Sequence, residues 1–191
     1  APVLDDLSEW RLAPTRPDWS GGLARRWTPG ERGATERLTR FLDEGVRRYR
    51  DERDIPGAHA TSDLSPHLRW GEVSVGTVWH RAVADGADVG AFLGELGWRE
   101  FAWHTAFHRG DLHLEGLDPR FDAFAWREPD PVEWEAWCTG STGFPLVDAG
   151  MRELWTSGAM HNRVRMVAAS FLTKNLLVDW RVGEAWFWDT L

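Results

Sequence analysis

Asn162, Arg165, Met166 and Ala169 recur at i, i+3, i+4 and i+7, the spacing of a single helical face. An amide, a cation, a soft thioether and a small residue make a poor core stripe. They suit the lining of a site for a flat polar ring system. The opposite stripe, Val164, Val167, Ala168, Phe171 and Leu172, is the better core face. Spacing alone leaves a second reading open, in which Arg165 is buried against an acid such as Asp148. The surrounding runs, GFPLVDAGMR at 143–152 and MHNRVRM at 160–166, place acid, amide, imidazole and guanidinium groups within apolar turns. Such groups are costly to bury unpaired. A ligand or a demanding hydrogen-bond network has to complete them.

Two further constellations carry chemistry. Thr61, Ser62 and Ser65 bring three hydroxyls to a helix start, with Ser65 expected as N-cap and Pro66 at the first helical position. Free backbone N–H groups meet there, so the turn suits a pyrophosphate as well as an ordinary cap. Tyr49, on a helix face just upstream, can add a hydroxyl. Glu95 and Trp98 lie one turn apart and Arg99 follows. A carboxyl beside an indole can read the edge of a base while the ring packs on its face; a solvated helix face has the same pattern. The seven His and the acids show no metal-ligand spacing, and His104 with His108 has no evident third ligand, so no metal is expected.

Helices must position these groups. Leu38, Phe41, Leu42, Val46 and Tyr49 predict a helix over 31–53. Ser74 caps the next, which runs to about 84. Further helices are expected over 90–107, 130–137, 148–157, 159–177 and from 184 onward, with loop over 112–131. No alternating strand pattern and no internal repeat is present, so the fold class is all-α. Pro2, Pro14, Pro17 and Pro29 with several glycines make 1–33 an arm or interdomain linker, pinned by Trp10, Trp19 and Trp27. The domain proper is expected over 34–191.

A chain of 191 residues with 42% hydrophobic and 27% charged residues is long enough to bury a core. Its net charge of −8 argues against a protein that coats nucleic acid. Within 139–182, five basic residues stand against three acids, a local excess of two in an acidic chain. Cys138 is the single cysteine, so no internal disulfide forms, which suits a reducing compartment. No apolar run reaches membrane-spanning length and no signal peptide is visible, so a cytoplasmic monomer is expected.

Several blocks in fixed order then resemble the FAD-binding helical domain of the DNA photolyase and cryptochrome family. They are RDIP at 53–56, TSDLSP at 61–66, ELGWREF at 95–101, VDAGMR at 147–152 and the run 160–180. The resemblance, of the class I cyclobutane-dimer kind, implies FAD as cofactor and light-driven repair of cyclobutane pyrimidine dimers in damaged DNA. It implies that Tyr49, Thr61, Ser62, Leu64 and Ser65 hold the cofactor's phosphates and that Arg99 and Arg165 lie near the flavin. Glu95, Trp98, Asn162, Arg163 and Met166 match positions facing a flipped-out dimer. Trp126 and Trp180 match the outer and middle members of an electron relay. Asn162 after His161 favours cyclobutane dimers over (6-4) products. Ala159 stands where the family often has a Trp beside the dimer pocket. The family's antenna domain and its Asp-rich loop, the Asn beside flavin N5 and the innermost relay Trp are not among these residues, so the expected domain is incomplete at its C-terminus. Two alternatives follow: a cryptochrome that signals to a protein partner, or a fragment that binds neither FAD nor DNA.

Overall fold

The computed structural model describes residues 7–12, 14–116 and 118–191. Pro2 and the rest of the first six residues of the expected arm lie outside the described residues. Among the described residues ten α-helices follow one another: α1 (Gly21–Arg26), α2 (Glu31–Arg40), α3 (Val46–Glu52), α4 (Ser65–Arg69), α5 (Val75–Asp85), α6 (Gly90–Arg109), α7 (Pro131–Thr139), α8 (Pro145–Ser157), α9 (Asn162–Ser170) and α10 (Trp180–Thr190). No strand is formed among the described residues; one isolated bridge joins Arg127 to Val178.

The helix expected over 31–53 is continuous but widened in its middle. Residues Phe41–Gly45 form a π-helical turn in which the Val46 N–H donates to the Phe41 carbonyl. Gly45 permits this, because a Cβ there would come 2.9 Å from the Phe41 ring. All five residues of the predicted stripe are buried, and they join Leu64, Val78, Ala82, Phe92 and Leu96 in a first apolar cluster. The second cluster is built from α7, α8 and α9 around Trp137, Met151, Leu154, Val164, Ala168 and Leu172. Trp137 is fully buried, and its indole N–H donates to the Ala168 carbonyl at 3.1 Å. That bond satisfies the one polar atom the ring brings into the core. A second π-helical turn, Phe171–Asn175, extends α9.

Caps fix where the helices begin. Ser74 Oγ accepts from the Thr77 N–H as expected, and Asp130, expected inside a helix, instead caps α7 by accepting from Val132 and Glu133. The imidazole of His161 caps α9: its Nδ1 accepts from the Arg163 N–H at 3.2 Å. Ser65 does not act as the expected N-cap. It is the first residue of α4, Leu64 occupies the cap position, and no side chain closes the turn. The expected arm also holds structure. Helix α1 lies against the end of α8, where a Cβ on Gly22 would come 1.7 Å from the Thr156 carbonyl oxygen. Trp27 pins this segment, donating to the Ser157 carbonyl at 2.6 Å, whereas Trp10 and Trp19 are largely exposed.

Helices α8 and α9 cross at Gly150, where a Cβ would stand 2.3 Å from Cγ1 of the buried Val164. Gly150→Ala should therefore destabilise the fold by about 1–3 kcal/mol through overpacking, outweighing the roughly 1 kcal/mol gained in helix propensity. Chemical denaturation checks this. An unchanged or raised midpoint would mean that the crossing relaxes freely.

Candidate functional site

A cavity of about 1760 Å³ lies between the two apolar clusters. From the first cluster's side it is lined by Tyr49, Thr61, Ser62, Ser65, Glu95 and Arg99. From the second it is lined by Asn162, Arg165, Ala169, Trp180 and Gly183. Residues more than a hundred positions apart thus share one wall.

The turn over 61–65 is shaped by Asp63. This residue adopts a left-handed backbone (φ 51°), and its carboxylate is held by Arg26 at 2.9 Å and Arg37 at 3.1 Å. Both guanidinium groups also lie over the Trp27 ring, 5.3 and 4.9 Å from its centroid. The acid is neutralised by two cations, and the neighbouring hydroxyls remain to line the cavity. Helix α4 has only five residues, so its dipole adds little, and the polar groups the turn offers are its hydroxyls and open backbone N–H groups. The side chain of Leu64 points elsewhere, being buried in the first cluster. Tyr49 packs edge-on against Phe41 and Phe92. Burial pushes its phenol pKa up, which keeps the hydroxyl protonated as a donor.

Arg165 resolves the alternative left open by spacing. Asp148 is not its partner. That buried carboxylate accepts from the Thr142 N–H (2.8 Å) and hydroxyl and from the Gly143 N–H (3.0 Å), closing the turn that leads into α8. Among the described residues Arg165 forms no ion pair, and its one hydrogen bond, to the Met160 carbonyl, is long at 3.5 Å. Its surface is accessible, yet its surroundings desolvate it and push its pKa down, with no carboxylate to offset the shift. Both hold for a cation that projects into a deep concavity rather than into bulk water. Arg99 is tethered to the Leu68 carbonyl at 3.2 Å and to Glu100.

The groups matched to a DNA lesion divide into two sets. Glu95 and Asn162 line the cavity. Trp98 and Met166 lie outside it and are exposed, 66% and 56% respectively. Trp98 meets Phe101 edge-on, and Met166 accepts a contact from Arg163 at its sulfur, 3.4 Å away. An ion network links these residues. Arg53 donates to Glu95 at 2.6 Å, and Arg163 pairs with Asp54, which also lies 3.4 Å from Arg53. His161 Nε2 donates to the Arg53 carbonyl at 2.9 Å, because its Nδ1 is already the acceptor in the α9 cap. The two pairs that reach the start of α9 span 108 and 109 residues, so no local pattern in the sequence signals them. Trp180 lines the cavity beneath the Arg181 guanidinium, 4.8 Å from its ring centroid. Trp126 packs on Phe124, and its segment is held to the one before Trp180 by the Arg127 N–H donating to the Leu177 carbonyl at 2.8 Å. No cluster of three or more potential metal ligands occurs among the described residues.

Residues 92–191 match the family described as the FAD binding domain of DNA photolyase. The chain belongs to this family. It is 50% identical over 196 residues to a deoxyribodipyrimidine photo-lyase of Agrobacterium fabrum, an alignment that covers 100% of the chain and 40% of the relative. The crystal structure of a bacterial class III photolyase from Agrobacterium tumefaciens superposes with a TM-score of 0.92 at 49% identity, over 100% of this chain and 40% of that one. That neighbour is a class III enzyme by name, where the sequence pattern had suggested class I. Cryptochrome-1 of Arabidopsis thaliana is 40% identical over 88% of the chain and 26% of its own length. The chain spans about two fifths of the length of the first curated relatives it matches.

The photolyase family's cofactor is FAD, and the cavity fits it. The space exceeds the roughly 300–1,000 Å³ of ordinary ligand pockets, which leaves room for a dinucleotide. One end offers hydroxyls and a protonated phenol, the other an unpaired guanidinium. Small residues, Ala169 and Gly183, leave room for a flat ring between them.

Asp148 gives the site a pH-dependent support. Burial opposes its charge, but the bonds from Thr142 and Gly143 outweigh this and hold its pKa below the usual carboxylate range. Its contribution is therefore full above the unfolded value of about 4 and is lost as pH falls through the lower folded value. Asp148→Asn should cost about 1–3 kcal/mol at neutral pH, and the gap from the parent should close below about pH 4. Urea melts over a pH series measure this; a gap that persists unchanged into strong acid would contradict it.

Proposed function

We propose that this chain forms the cofactor- and lesion-binding part of a light-driven deoxyribodipyrimidine photo-lyase that repairs cyclobutane pyrimidine dimers in DNA. The observation that carries the reading is the shared cavity: hydroxyls suited to a pyrophosphate, an unpaired Arg165, and Glu95 with Asn162 all face the same space. The likeness to photo-lyases of bacterial origin supports the same conclusion.

Thr61, Ser62 and Ser65 would hold the FAD phosphates with backbone N–H groups of their turn, Leu64 contributing main chain only, and Tyr49 would donate its hydroxyl. Arg99 and Arg165 would face the flavin. When bound, reduced and excited, FAD would supply an electron that is lent to the dimer and returned once the ring has opened. The protein's part is orientation and electrostatics. Glu95 keeps one carboxylate oxygen on Arg53 and offers the other to a pyrimidine in the cavity. Asn162 would present an amide to the same two linked pyrimidines, and Met166 would close the outer edge. Trp98, with Phe101, forms an exposed aromatic surface for a base beside the flipped dimer, which is cheaper to extrude because it is poorly stacked. Arg163 would take a backbone phosphate. Trp126 and Trp180 would relay electrons to the cavity.

Glu95→Ala in the full-length protein should lower the quantum yield of repair more than it weakens binding of dimer-containing DNA. Contacts that strengthen as charge develops raise turnover rather than affinity. Arg163→Ala should do the reverse, with weaker binding and a salt slope shallower by roughly one ion. Binding isotherms over a salt series, paired with single-turnover repair yields, test both. Repair at the parental yield by Glu95→Ala would remove the carboxylate from the mechanism. Trp180→Phe should slow photoreduction and leave dark FAD binding nearly unchanged; loss of FAD would make Trp180 a packing residue instead.

A further inference from the structure

Arg163 is already occupied. Its Nε and one Nη donate to the two oxygens of Asp54, each at 2.8 Å, in a planar two-bond fork. The partners are 109 residues apart, and their side chains are 41% and 50% exposed. The pair therefore sits at the protein surface, where α9 begins beside the end of α3. Asp54 also lies 3.4 Å from Nε of Arg53, whose Nη1 is committed to Glu95. One carboxylate thus stands between two cations, the one that holds Glu95 and the one that faces outward.

A guanidinium takes carboxylate and phosphate in the same forked geometry. Asp54 and a DNA phosphate accordingly compete for the same edge of Arg163. We propose that Asp54 is a specificity-determining residue, a built-in competitor that denies Arg163 to the backbone of undamaged DNA. This rests on the reading of Arg163 as a phosphate contact. Breaking an exposed ion pair is inexpensive, so a DNA that gains other contacts can displace Asp54. Damaged DNA gains them when the dimer enters the cavity beside Glu95 and Asn162. An undamaged duplex gains nothing there, and for it the exchange of one anion for another is close to neutral. The Arg163 guanidinium holds the Asp54 carboxyl below the usual carboxylate range, so the competitor stays charged throughout the neutral pH range.

The test uses the full-length, FAD-loaded protein in the dark, with Asp54→Asn, Arg163→Ala and the double variant. Dimer-containing and undamaged duplexes of one sequence are titrated over a salt series. Flavin absorbance reports that each variant keeps its cofactor and fold. Asp54→Asn should bind the undamaged duplex roughly three-fold tighter, with a salt slope steeper by roughly one ion. Binding of damaged DNA should change less, so discrimination falls. The gain should vanish in the Arg163→Ala background. If Arg163→Ala weakens damaged-DNA binding but Asp54→Asn leaves undamaged binding unchanged or weaker, Asp54 is scaffolding and this inference fails alone. If Arg163→Ala leaves both duplexes unaffected, the phosphate reading of Arg163 fails, and the inference with it.

Discussion

A guanidinium that faces a cavity without an ion-pair partner among the described residues is the constraint around which this structure is organised. The Arg165 side chain has accessible surface, its single hydrogen bond is long, and Asp148, the acid that its sequence context offered as a partner, is spent on the turn before α8. An accessible cation with no ion-pair partner contributes little to stability. The arrangement makes sense when a ligand with negative or electron-rich atoms completes it. The rest of the cavity wall agrees: the acid closest to the hydroxyl turn, Asp63, is neutralised by two arginines, and the phenol of Tyr49 is kept protonated by burial.

The two apolar clusters make that cavity possible. Each is a complete small core, one around Phe41, Tyr49 and Phe92 and one around Trp137 and Met151. Close approach is achieved where glycine allows it, at Gly150 between α8 and α9 and at Gly183 against Leu172. Between the cores run polar connections: His161 to the Arg53 carbonyl, Asp54 to Arg163, and Asp63 to Arg26 of α1, the helix packed on α8. The cavity-facing carboxylate of Glu95 is oriented by the same network, so the proposed recognition site and the fold share residues.

Much of this was legible in the sequence, for physical reasons that differ from place to place. The helix over 31–53 could be read because its apolar stripe repeats with helical period and is buried throughout; only the widened turn at Phe41–Gly45 escaped, since it depends on Gly45 meeting a ring. Of the expected α9 core stripe, Val164, Ala168 and Leu172 are core and Phe171 is partly buried, whereas Val167 is exposed. The partner of Arg165 was not legible, because whether a distant acid reaches it is decided by tertiary structure. Asp54 gave no signal of its own: its partner lies 109 residues away. Ser65 was misplaced as a cap because a Ser before Pro fits that role locally, while the chain enters α4 through Leu64, which the core claims. Trp10 and Trp19 looked like anchors by residue type, yet only Trp27 reaches a carbonyl partner.

The most direct measurement is dark FAD binding to the full-length protein and to Arg165→Ala, read by flavin absorbance and by thermal unfolding over an FAD series. If Arg165 is held unpaired for the cofactor, the parent binds FAD and its melting temperature climbs with ligand, as mass action requires. The variant should lose at least about ten-fold in affinity, the difference that about 1.4 kcal/mol makes, while melting no lower than the parent without FAD. FAD affinity indifferent to Arg165, or a variant destabilised in the absence of FAD, would contradict the account.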